Sequence, residues 1–424
     1  MNILKFKQTE IGMIPEDWEF VPIITKCHII MGQSPESKYY NTSHLGAPFS
    51  QGITTFGDKY PTIDIWTTNI TKMAKKGSVL FSVRAPVGEV NICNVDTCIG
   101  RGLLSIDSKN NQFMYYLLKA FKGYIVNKEK GTVYGSVTQE DVKNIELPFP
   151  SLPEQQAIAK ILSDLDSKIE LNRKMNQTLE EIGKNLFKRW FIDFEFPNEK
   201  GEPYKSSGGE LVYNEELKKE IPKGWIMDKL ENQLATLESG NRPRGGASLL
   251  NEGIPSIGAE NIYGLGMYDY RSTKYVPEDF FNKMNQGIVK NKDVLLYKDG
   301  ASLGRKTMFM CDFPYKKCCI NEHVFILRSK EIIGNFYLYF WLDQDFMTDK
   351  IIGLNTNSAQ PGITRTGVYT LPILLANNKL ILQFNKTIDP ILQLIFFNCI
   401  QNQTLSATRD SLLPKLMSGK IRVS

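Results

Sequence analysis

The sequence lacks the motifs by which many nucleotide-dependent and metal-dependent enzymes are recognised. It contains no G-x-x-x-x-G-K-[ST] phosphate loop, no G-x-G-x-x-G after a strand and no H-E-x-x-H. There is no Pro-Pro pair, so the acidic-Pro-Pro-aromatic tetrapeptide of an amino-methyltransferase is missing as well. The three histidines, His28, His44 and His323, have no second ligand at helical or turn spacing, and we interpret them as structural or surface residues. The chain is therefore predicted to have no catalytic activity and to hold no metal or cofactor of its own.

Long apolar runs and paired cysteines are also missing. No apolar run approaches the ~18 residues that a membrane span needs, and no basic-then-apolar signal segment stands at the N-terminus. We therefore expect a cytoplasmic protein that makes no membrane contact. Seven cysteines without C-x-x-C spacing indicate reduced, mostly buried thiols. The net charge of +5 permits a nucleic-acid partner without arguing for one.

What the sequence does contain is an internal repeat. The pattern Ile-Pro-x-x-Trp stands at 14–18 and again at 221–225, and Asn-Gln-Thr-Leu stands at 176–179 and again at 402–405. The landmarks keep their order, while the separation between matching landmarks grows from the first pair to the last. This drift is typical of duplicated domains with loop insertions and not of a short-period solenoid. The repeat favours a protein that recognises two separate things.

Each half is predicted to contain a β-rich region followed by one long helix. Short β-like runs flank turns at 84–88 and 300–304, and short helices are predicted over 112–126 and 336–347. Apolar residues at three-and-four spacing predict a helix of nearly 40 residues from 151 to 190, and a second helical stretch over 376–417.

Two further predictions concern the start of the first long helix and a proline within the second. Ser151 and Glu154 fit a capping box at the start of the first long helix. Pro390 should kink the second long helix or start it afresh behind Asp389, because a proline inside a helix removes a backbone hydrogen bond.

The apolar stripes of the two long helices align when the two Asn-Gln-Thr-Leu motifs are superposed, and Asn172 then falls on Asn398. A polar residue in an apolar seam costs stability and is usually tolerated because it sets register. The alternative, that both side chains lie on the flank and face water, stays equally open. The predicted contact residues of the helix pair are Ile158, Leu165, Ile169, Asn172, Leu179, Ile388, Ile391, Ile395, Asn398 and Leu405.

These features resemble the specificity subunit of type I restriction-modification enzymes. The resemblance is carried by Gly-Met-Ile-Pro-Glu-Asp-Trp at 12–18, Arg-Ala-Pro-Val-Gly at 84–88 and Leu-Pro-Phe-Pro-Ser-Leu-Pro-Glu-Gln-Gln at 147–156. The run Leu-Leu-Pro-Lys-Leu-Met-Ser-Gly-Lys-Ile at 412–421 also looks like the C-terminal part of this family. The second half departs from the pattern after Leu371-Pro372, where Pro-Glu-Gln is missing.

The resemblance implies an α+β fold with an internal pseudo-two-fold repeat. Two similar mixed α/β target-recognition domains would be separated by two long antiparallel helices in a coiled coil. The corresponding segments are a first target-recognition domain at 1–150, a first long helix acting as spacer at 151–196, a linker at 197–214, a second target-recognition domain at 215–370, and a second long helix with a C-terminal tail at 371–424.

The resemblance also implies partners and a division of labour. Each target-recognition domain would read one half of a split double-stranded DNA site, and the two unlike halves make that site asymmetric. Two methylation subunits would carry S-adenosylmethionine, and restriction subunits would use ATP and Mg²⁺ to translocate and cut DNA. This chain would dock both kinds of subunit and bind none of these cofactors. Two other interpretations stay open: a coiled-coil scaffold that does not bind DNA, and a self-contained restriction-methylation enzyme.

The candidate DNA contacts are polar and basic residues in loops, whose side chains suit base edges and phosphates. They are Gln33, Ser34, Lys38, Tyr39, Gln51 and Arg84 in the first domain, and Asn241, Arg242, Arg244, Arg271, Lys274 and Lys298 in the second. Arg84 and Lys298 hold roughly equivalent places before their turns. Arg84 could read a base, hold a phosphate or brace the turn at Pro86, and the bracing role is favoured.

Overall fold

The computed structural model describes residues 5–128, 137–247, 250–355 and 361–423. The chain forms two compact units, one made of Met1–Lys168 with Leu405–Ser424 and the other of Ile169–Thr404. Both long helices cross these boundaries, so each unit contains a segment of each helix. Within the described ranges, no helix is both long enough and apolar enough to cross a membrane.

The first unit is built around a four-stranded antiparallel sheet and a five-stranded mixed sheet. The four-stranded sheet has the order Val90–Ile92, Val79–Ser82, Leu103–Ser108, Cys27–Met31. The five-stranded sheet has the order Tyr40–Asn41, Trp66–Thr67, Ala47–Ser50, Thr97–Ile99, Met73–Ala74. Two further strand pairs are Phe6–Thr9 with Gly12–Pro15 and Glu19–Pro22 with Glu146–Phe149. The helices are Asn111–Ala120, Lys122–Lys128 and Gln139–Lys143, with 3-10 turns at Ile23–Thr25, Ser37–Tyr39 and Ile53–Thr55.

The second unit repeats this plan. Its four-stranded antiparallel sheet has the order Lys306–Phe309, Asp293–Tyr297, Val324–Ser329, Leu234–Ser239. Its three-stranded sheet has the order Lys274–Val276, Ile254–Ile257, Cys319–Ile320. The outer pairs are Leu211–Asn214 with Lys219–Pro222 and Ile226–Lys229 with Pro372–Leu375. The shorter helices are Leu230–Gln233, Glu278–Asn282, Asn335–Leu342, Asp345–Gly353 and Arg365–Tyr369, with 3-10 turns at Ala259–Asn261 and Tyr270–Ser272.

The four-stranded sheets of the two units share strand order and register. Val79 pairs with Ile92 on one side and Ile106 on the other. Val294, its predicted counterpart, pairs with Met308 and Leu327 in the same way. The central strands read as continuous apolar runs because both of their faces are buried. The internal repeat and the α+β class with two sheet-rich domains and two long helices are thereby confirmed.

The first long helix spans Leu152–Phe187 and continues as a π-helical turn, Lys188–Ile192. Its predicted capping box is wrong, because the carboxylate of Glu154 instead accepts hydrogen bonds from Trp18 Nε1 at 3.1 Å and Arg422 Nε at 2.6 Å. The second long helix spans Asn378–Met417 without interruption. The prediction that it starts afresh behind Asp389 is therefore wrong. The surrounding packing outweighs the hydrogen bond lost at Pro390.

In the first unit the two helix segments share one apolar cluster. Ile158 and Leu162 of the first helix are buried with Leu413 and Leu416 of the second. Further along, Arg409 Nη1 donates to Asp166 Oδ1 at 2.8 Å, and the hydroxyl of Tyr116 donates to the other carboxylate oxygen of Asp166. Since rising numbers on one helix meet falling numbers on the other, the segments are antiparallel.

In the second unit the helix segments meet through buried amides. Asn398 Nδ2 donates to Asn176 Oδ1 at 2.8 Å. Asn172 Nδ2 donates to Asn402 Oδ1 at 2.8 Å and to Gln401 Oε1 at 2.8 Å. Asn172 is 0% exposed and Asn398 is 3% exposed, so the alternative in which both face water is wrong. Superposing the two halves of the repeat carries Asn172 onto Asn398 and Asn176 onto Asn402, so it exchanges the two pairs. This reciprocal pairing is how a self-complementary interface is built.

The other predicted contact residues of the helix pair differ in how far they are buried. Those that are buried are Ile158, Ile169, Ile388 and Ile395. Those that are partly exposed are Leu165, Leu179, Ile391 and Leu405. Leu179 and Ile391 still pack against the core of the second unit.

The turn at 84–88 is braced by a serine and not by the arginine that the sequence suggested. Ser82 Oγ donates to Pro86 O at 2.8 Å and accepts from Glu89 N at 2.9 Å. The side chain of Arg84 is exposed and has no hydrogen bond or ion pair to a residue that the structure describes. The favoured bracing role for Arg84 is therefore wrong.

We predict that Asn398→Ala lowers the free energy of unfolding by about 1–3 kcal/mol, because Asn176 Oδ1, on a partly buried side chain, would lose its donor and the buried Asn398 side chain would leave a gap. Urea unfolding followed by circular dichroism measures this. Gln403→Ala, at an exposed position of the same helix, is the matched control and should change stability by less than about 0.5 kcal/mol. Equal midpoints for the two variants would contradict a structural role for the amide seam.

We also predict that Ser82→Ala destabilises the protein by about 1–3 kcal/mol, since it removes both bonds across the turn from a buried hydroxyl. Arg84→Ala should leave the unfolding midpoint almost unchanged. Thermal and urea unfolding of the two single variants decide this, and the reverse ranking would restore the bracing role to Arg84.

Candidate nucleic-acid interface

The first domain brings three loops together where the strands of its two sheets end. We call residues 32–34, 51–52 and 100–102 the first loop junction. Gln33 N donates to Ile99 O at 2.9 Å, Gly100 N donates to Ser50 O at 2.9 Å, and Arg101 N donates to Ser34 Oγ at 3.1 Å. The backbones approach so closely that a Cβ on Gly32 would lie 2.2 Å from Gly100 O. Only glycine fits there.

The predicted residues of the first domain lie at or beside this junction. Gln33 and Gln51 are exposed, and Ser34 is partly buried by its bond to Arg101 N. Lys38 and Tyr39 lie farther along the same loop, where Lys38 Nζ is 2.6 Å from Glu36 Oε2 and 5.0 Å from the centre of the Tyr39 ring.

Arg84 lies next to a residue whose backbone is hydrogen-bonded to the first loop junction. The residue before it, Val83, donates its N–H to Gly102 O at 3.0 Å. The first junction therefore gathers polar side chains of the expected kind from four segments of the chain.

The second domain builds the same junction. We call residues 240–242, 257–258 and 321–323 the second loop junction. Asn321 N donates to Ile257 O at 2.9 Å, and a Cβ on Gly240 would lie 1.9 Å from Ile320 O. Asn241 and Arg242 are exposed here. Arg244 is exposed a short way along the same loop.

Four predicted cations of the second domain have a carboxylate partner that the sequence analysis missed. Arg242 Nε lies 3.1 Å from Glu322 Oε1, and Lys274 Nζ lies 2.5 Å from Glu260 Oε1. Arg271 pairs with Asp269 at 3.0 Å, and Lys298 pairs with Asp299 at 3.4 Å. These cations therefore meet a phosphate only in competition with a carboxylate already beside them.

Two shifts in pKa follow from this pairing. Burial raises the pKa of Glu260, but the hydrogen bond and charge of Lys274 outweigh it, so that the pKa is lowered overall. The hydrogen bond from Arg271 similarly lowers the pKa of Asp269. Both carboxylates are therefore ionised at neutral pH, so hydrogen-bond acceptors lie beside the candidate cations Lys274 and Arg271.

His323, which the sequence suggested was structural, belongs to the second junction. Its Nδ1 lies 3.3 Å from Asp299 Oδ2 and its Nε2 lies 3.6 Å from Glu322 Oε1. A cavity of about 420 Å³ opens beside Lys298 and is also lined by Arg365, a cation absent from the candidate set. Within the described ranges, no group of three or more His, Cys, Asp or Glu side chains could hold a metal ion.

Lys298 and Arg84 are not strictly equivalent in position. Lys298 donates its backbone N–H to His323 O at 3.1 Å, as Val83 does to Gly102 O at 3.0 Å, so Lys298 corresponds to Val83. The position equivalent to Arg84 is then Asp299. The two residues therefore lie one position apart when counted from the preceding strand, which agrees with the rough equivalence that the sequence suggested. The loop between 298 and 304 is one residue longer than its counterpart between 83 and 88.

The sequence analysis also missed Arg101. It stands in Gly100-Arg101-Gly102, between two buried strands, and its side chain is exposed. A charged residue between two glycines at the end of an apolar strand was the signal that could have revealed it, as glycine marks close backbone approach.

Comparisons with known proteins agree with this architecture. The sequence profile of the family described as "Type I restriction modification DNA specificity domain" matches residues 15–181. The chain is 29% identical to the type I restriction enzyme MjaIX specificity subunit of Methanocaldococcus jannaschii, over 99% of this chain and 97% of that one. It is 43% identical to the putative type I restriction enzyme MjaX specificity subunit of the same organism, over 43% of this chain and 44% of that one.

The fold is shared with a solved structure. The crystal structure of the S subunit of a type I restriction-modification system from M. genitalium superposes with a TM-score of 0.59 at 17% identity, covering 97% of this chain and 98% of that one. Fold, repeat and sequence similarity along the whole chain thus point the same way. Along its whole length, the chain is thus similar to type I restriction-modification specificity subunits.

Proposed function

We propose that this chain reads a bipartite, asymmetric double-stranded DNA site and docks the methylation and restriction subunits that act on it. The observation that carries the proposal is the recurrence of one loop junction on two different sets of side chains. Gly32 and Gly240 make the same close backbone approach, while the residues that follow them are Gln33-Ser34 in one domain and Asn241-Arg242 in the other. Two copies of one scaffold with unlike side chains suit two unlike half-sites.

The chemistry of both junctions supports contact with base edges. Amide side chains such as Gln33, Gln51 and Asn241 both donate and accept, and each base pair presents a distinct donor and acceptor pattern in the major groove. Exposed Arg244 supplies a cation for backbone phosphates, which position a protein on DNA without reading its sequence.

Catalysis and cofactors belong to the partner subunits in this proposal. The sequence contains no phosphate loop and no amino-methyltransferase tetrapeptide, so we assign S-adenosylmethionine to two methylation subunits. ATP and Mg²⁺ are assigned to the restriction subunits.

The long helices offer a surface for such partners. Leu394 is 40% exposed and Phe397 is 59% exposed, and their spacing of three residues places them side by side on the second long helix. Leu171 and Ile182 of the first long helix are exposed too. Large apolar side chains grouped on a helix surface mark interaction sites more often than isolated ones do.

Reconstitution tests the division of labour. The purified chain with S-adenosylmethionine should transfer no methyl group to DNA, whereas its complex with the cognate methylation subunits should methylate one bipartite motif. The measurement is methyl transfer to plasmid DNA, followed by single-molecule sequencing to locate modified bases. Methylation subunits without this chain are the control. Transfer by the chain alone would overturn the proposal, and a complex that does not shift DNA in a gel would favour the scaffold interpretation.

The docking surface is tested by Leu394→Asp combined with Phe397→Asp. Burial of one such side chain is worth about 1.5–3 kcal/mol, so the affinity for the methylation subunits should fall at least about tenfold. Calorimetric titration measures it, and circular dichroism checks that the variant is folded. Gln403→Asp, an exposed position on a different face of the same helix, is the matched control. Unchanged affinity of the double variant would place docking elsewhere.

A further inference from the structure

The loop junctions define which positions of the two domains are equivalent. Val83 N donates to Gly102 O at 3.0 Å, and Lys298 N donates to His323 O at 3.1 Å. The strand that follows is in register too, because Leu103 pairs with Ser82 and Val324 pairs with Tyr297. Counting back one residue from Gly102 and from His323 makes Arg101 and Glu322 equivalent. The same position therefore carries opposite charges in the two domains.

Arg101 is held by its backbone and free at its tip. Its N–H donates to Ser34 Oγ at 3.1 Å, and its neighbour Gly100 is fixed by donation from Gly100 N to Ser50 O at 2.9 Å. The guanidinium is exposed and makes no hydrogen bond or ion pair with any residue of the described ranges. A planar group with five donors thus extends from an anchored point in the middle of the first junction.

Glu322 is also oriented, but by side chains. Its Oε1 lies 3.1 Å from Arg242 Nε and 3.6 Å from His323 Nε2. The side chain is 31% exposed, but its other oxygen, Oε2, is buried and accepts no hydrogen bond from a residue that the structure describes, so one acceptor of the carboxylate stays unused.

An arginine could contact either a backbone phosphate or a base edge. The opposite charge at the equivalent position of the second domain helps to distinguish these two roles. A backbone phosphate is an anion at every step of DNA, so Glu322 does not anchor a phosphate, and only a base-reading role is open to this position in both domains. Base edges present donors and acceptors alike, and they suit either charge. Arginine pairs bidentately with guanine O6 and N7, and glutamate accepts from cytosine N4.

We propose that Arg101 and Glu322 each read one base of their half-site, Arg101 a guanine and Glu322 a cytosine. Each half-site then contains one G·C pair whose identity depends on this single residue. The inference rests on the proposed function and adds to it the residues that set specificity.

The test uses the assembled complex of this chain with its methylation subunits. Single-molecule sequencing of DNA methylated by wild-type, Arg101→Ala, Arg101→Gln and Glu322→Ala complexes gives the motif of each. Arg101→Ala should lose discrimination at one G·C pair of one half-site, where a wild-type preference of about 10- to 100-fold falls toward one. Arg101→Gln should shift that position toward adenine, which glutamine reads through N6 and N7. Glu322→Ala should relax one G·C pair of the other half-site.

The matched controls lie at the opposite end of the same strands. Lys109 and Glu331 are exposed and follow the strands Leu103–Ser108 and Val324–Ser329, so Lys109→Ala and Glu331→Ala should keep the wild-type motif. A uniform loss of methylation by Arg101→Ala, with the motif unchanged, would mean a phosphate contact and overturn the inference while leaving the proposed function standing. Relaxation at an A·T pair would overturn it as well. A wild-type complex that methylates no bipartite motif would remove the proposed function itself.

Discussion

The pairing of the two long helices is the constraint on which both units depend. Each helix has one apolar stripe and cannot bury it alone, since an isolated helix draws little stability from propensity in water. An apolar seam by itself also tolerates a shift by one turn. The reciprocal amide pairs, Asn172 with Asn402 and Asn176 with Asn398, favour one alignment, because a shift by one turn breaks both pairs of hydrogen bonds. In the second unit the amides fix the register, and the apolar residues around them supply the burial.

A second constraint governs the loop junctions. Gly32 and Gly240 let backbones approach to distances that no side chain permits, and in the first junction Leu103 N donates to Gly100 O at 3.0 Å and Gln33 N to Ile99 O at 2.9 Å. The scaffold of each junction is therefore made mainly of backbone, together with the acceptors Ser34 Oγ in the first and Asn321 Oδ1 in the second, and the side chains of Arg101 and Glu322 are not among its hydrogen bonds to backbone. Such an arrangement allows Arg101 in one domain and Glu322 in the other without a change of fold. It explains how one architecture can present opposite charges at one position.

The sequence predicted periodic features well and tertiary pairings poorly. The repeat, the buried central strands and the two long helices follow from spacing alone, which local physics determines. Pro390 shows the limit of a prediction from local pattern, because the second long helix continues through this proline although one backbone hydrogen bond is lost there. Glu154 satisfied the local pattern of a capping box and yet bonds Trp18 and Arg422, which lie 136 and 268 residues away. The carboxylate beside Arg242 was missed for the same reason. Arg242 and Glu322 are distant in the chain, and only the fold brings them together.

The bonds from Arg422 to Glu154 and Asp17 have a consequence for synthesis on the ribosome. Residues 405–423 complete the unit that begins at the N-terminus, but they emerge only after the whole of Ile169–Thr404 has been made. At roughly 5–20 residues per second, the first domain waits on the order of 10–50 s for its last helical segment. During that interval Trp18, Ile158 and Leu162 lack the partners that later cover them. Of the two units, the one that is begun earlier is thus completed later.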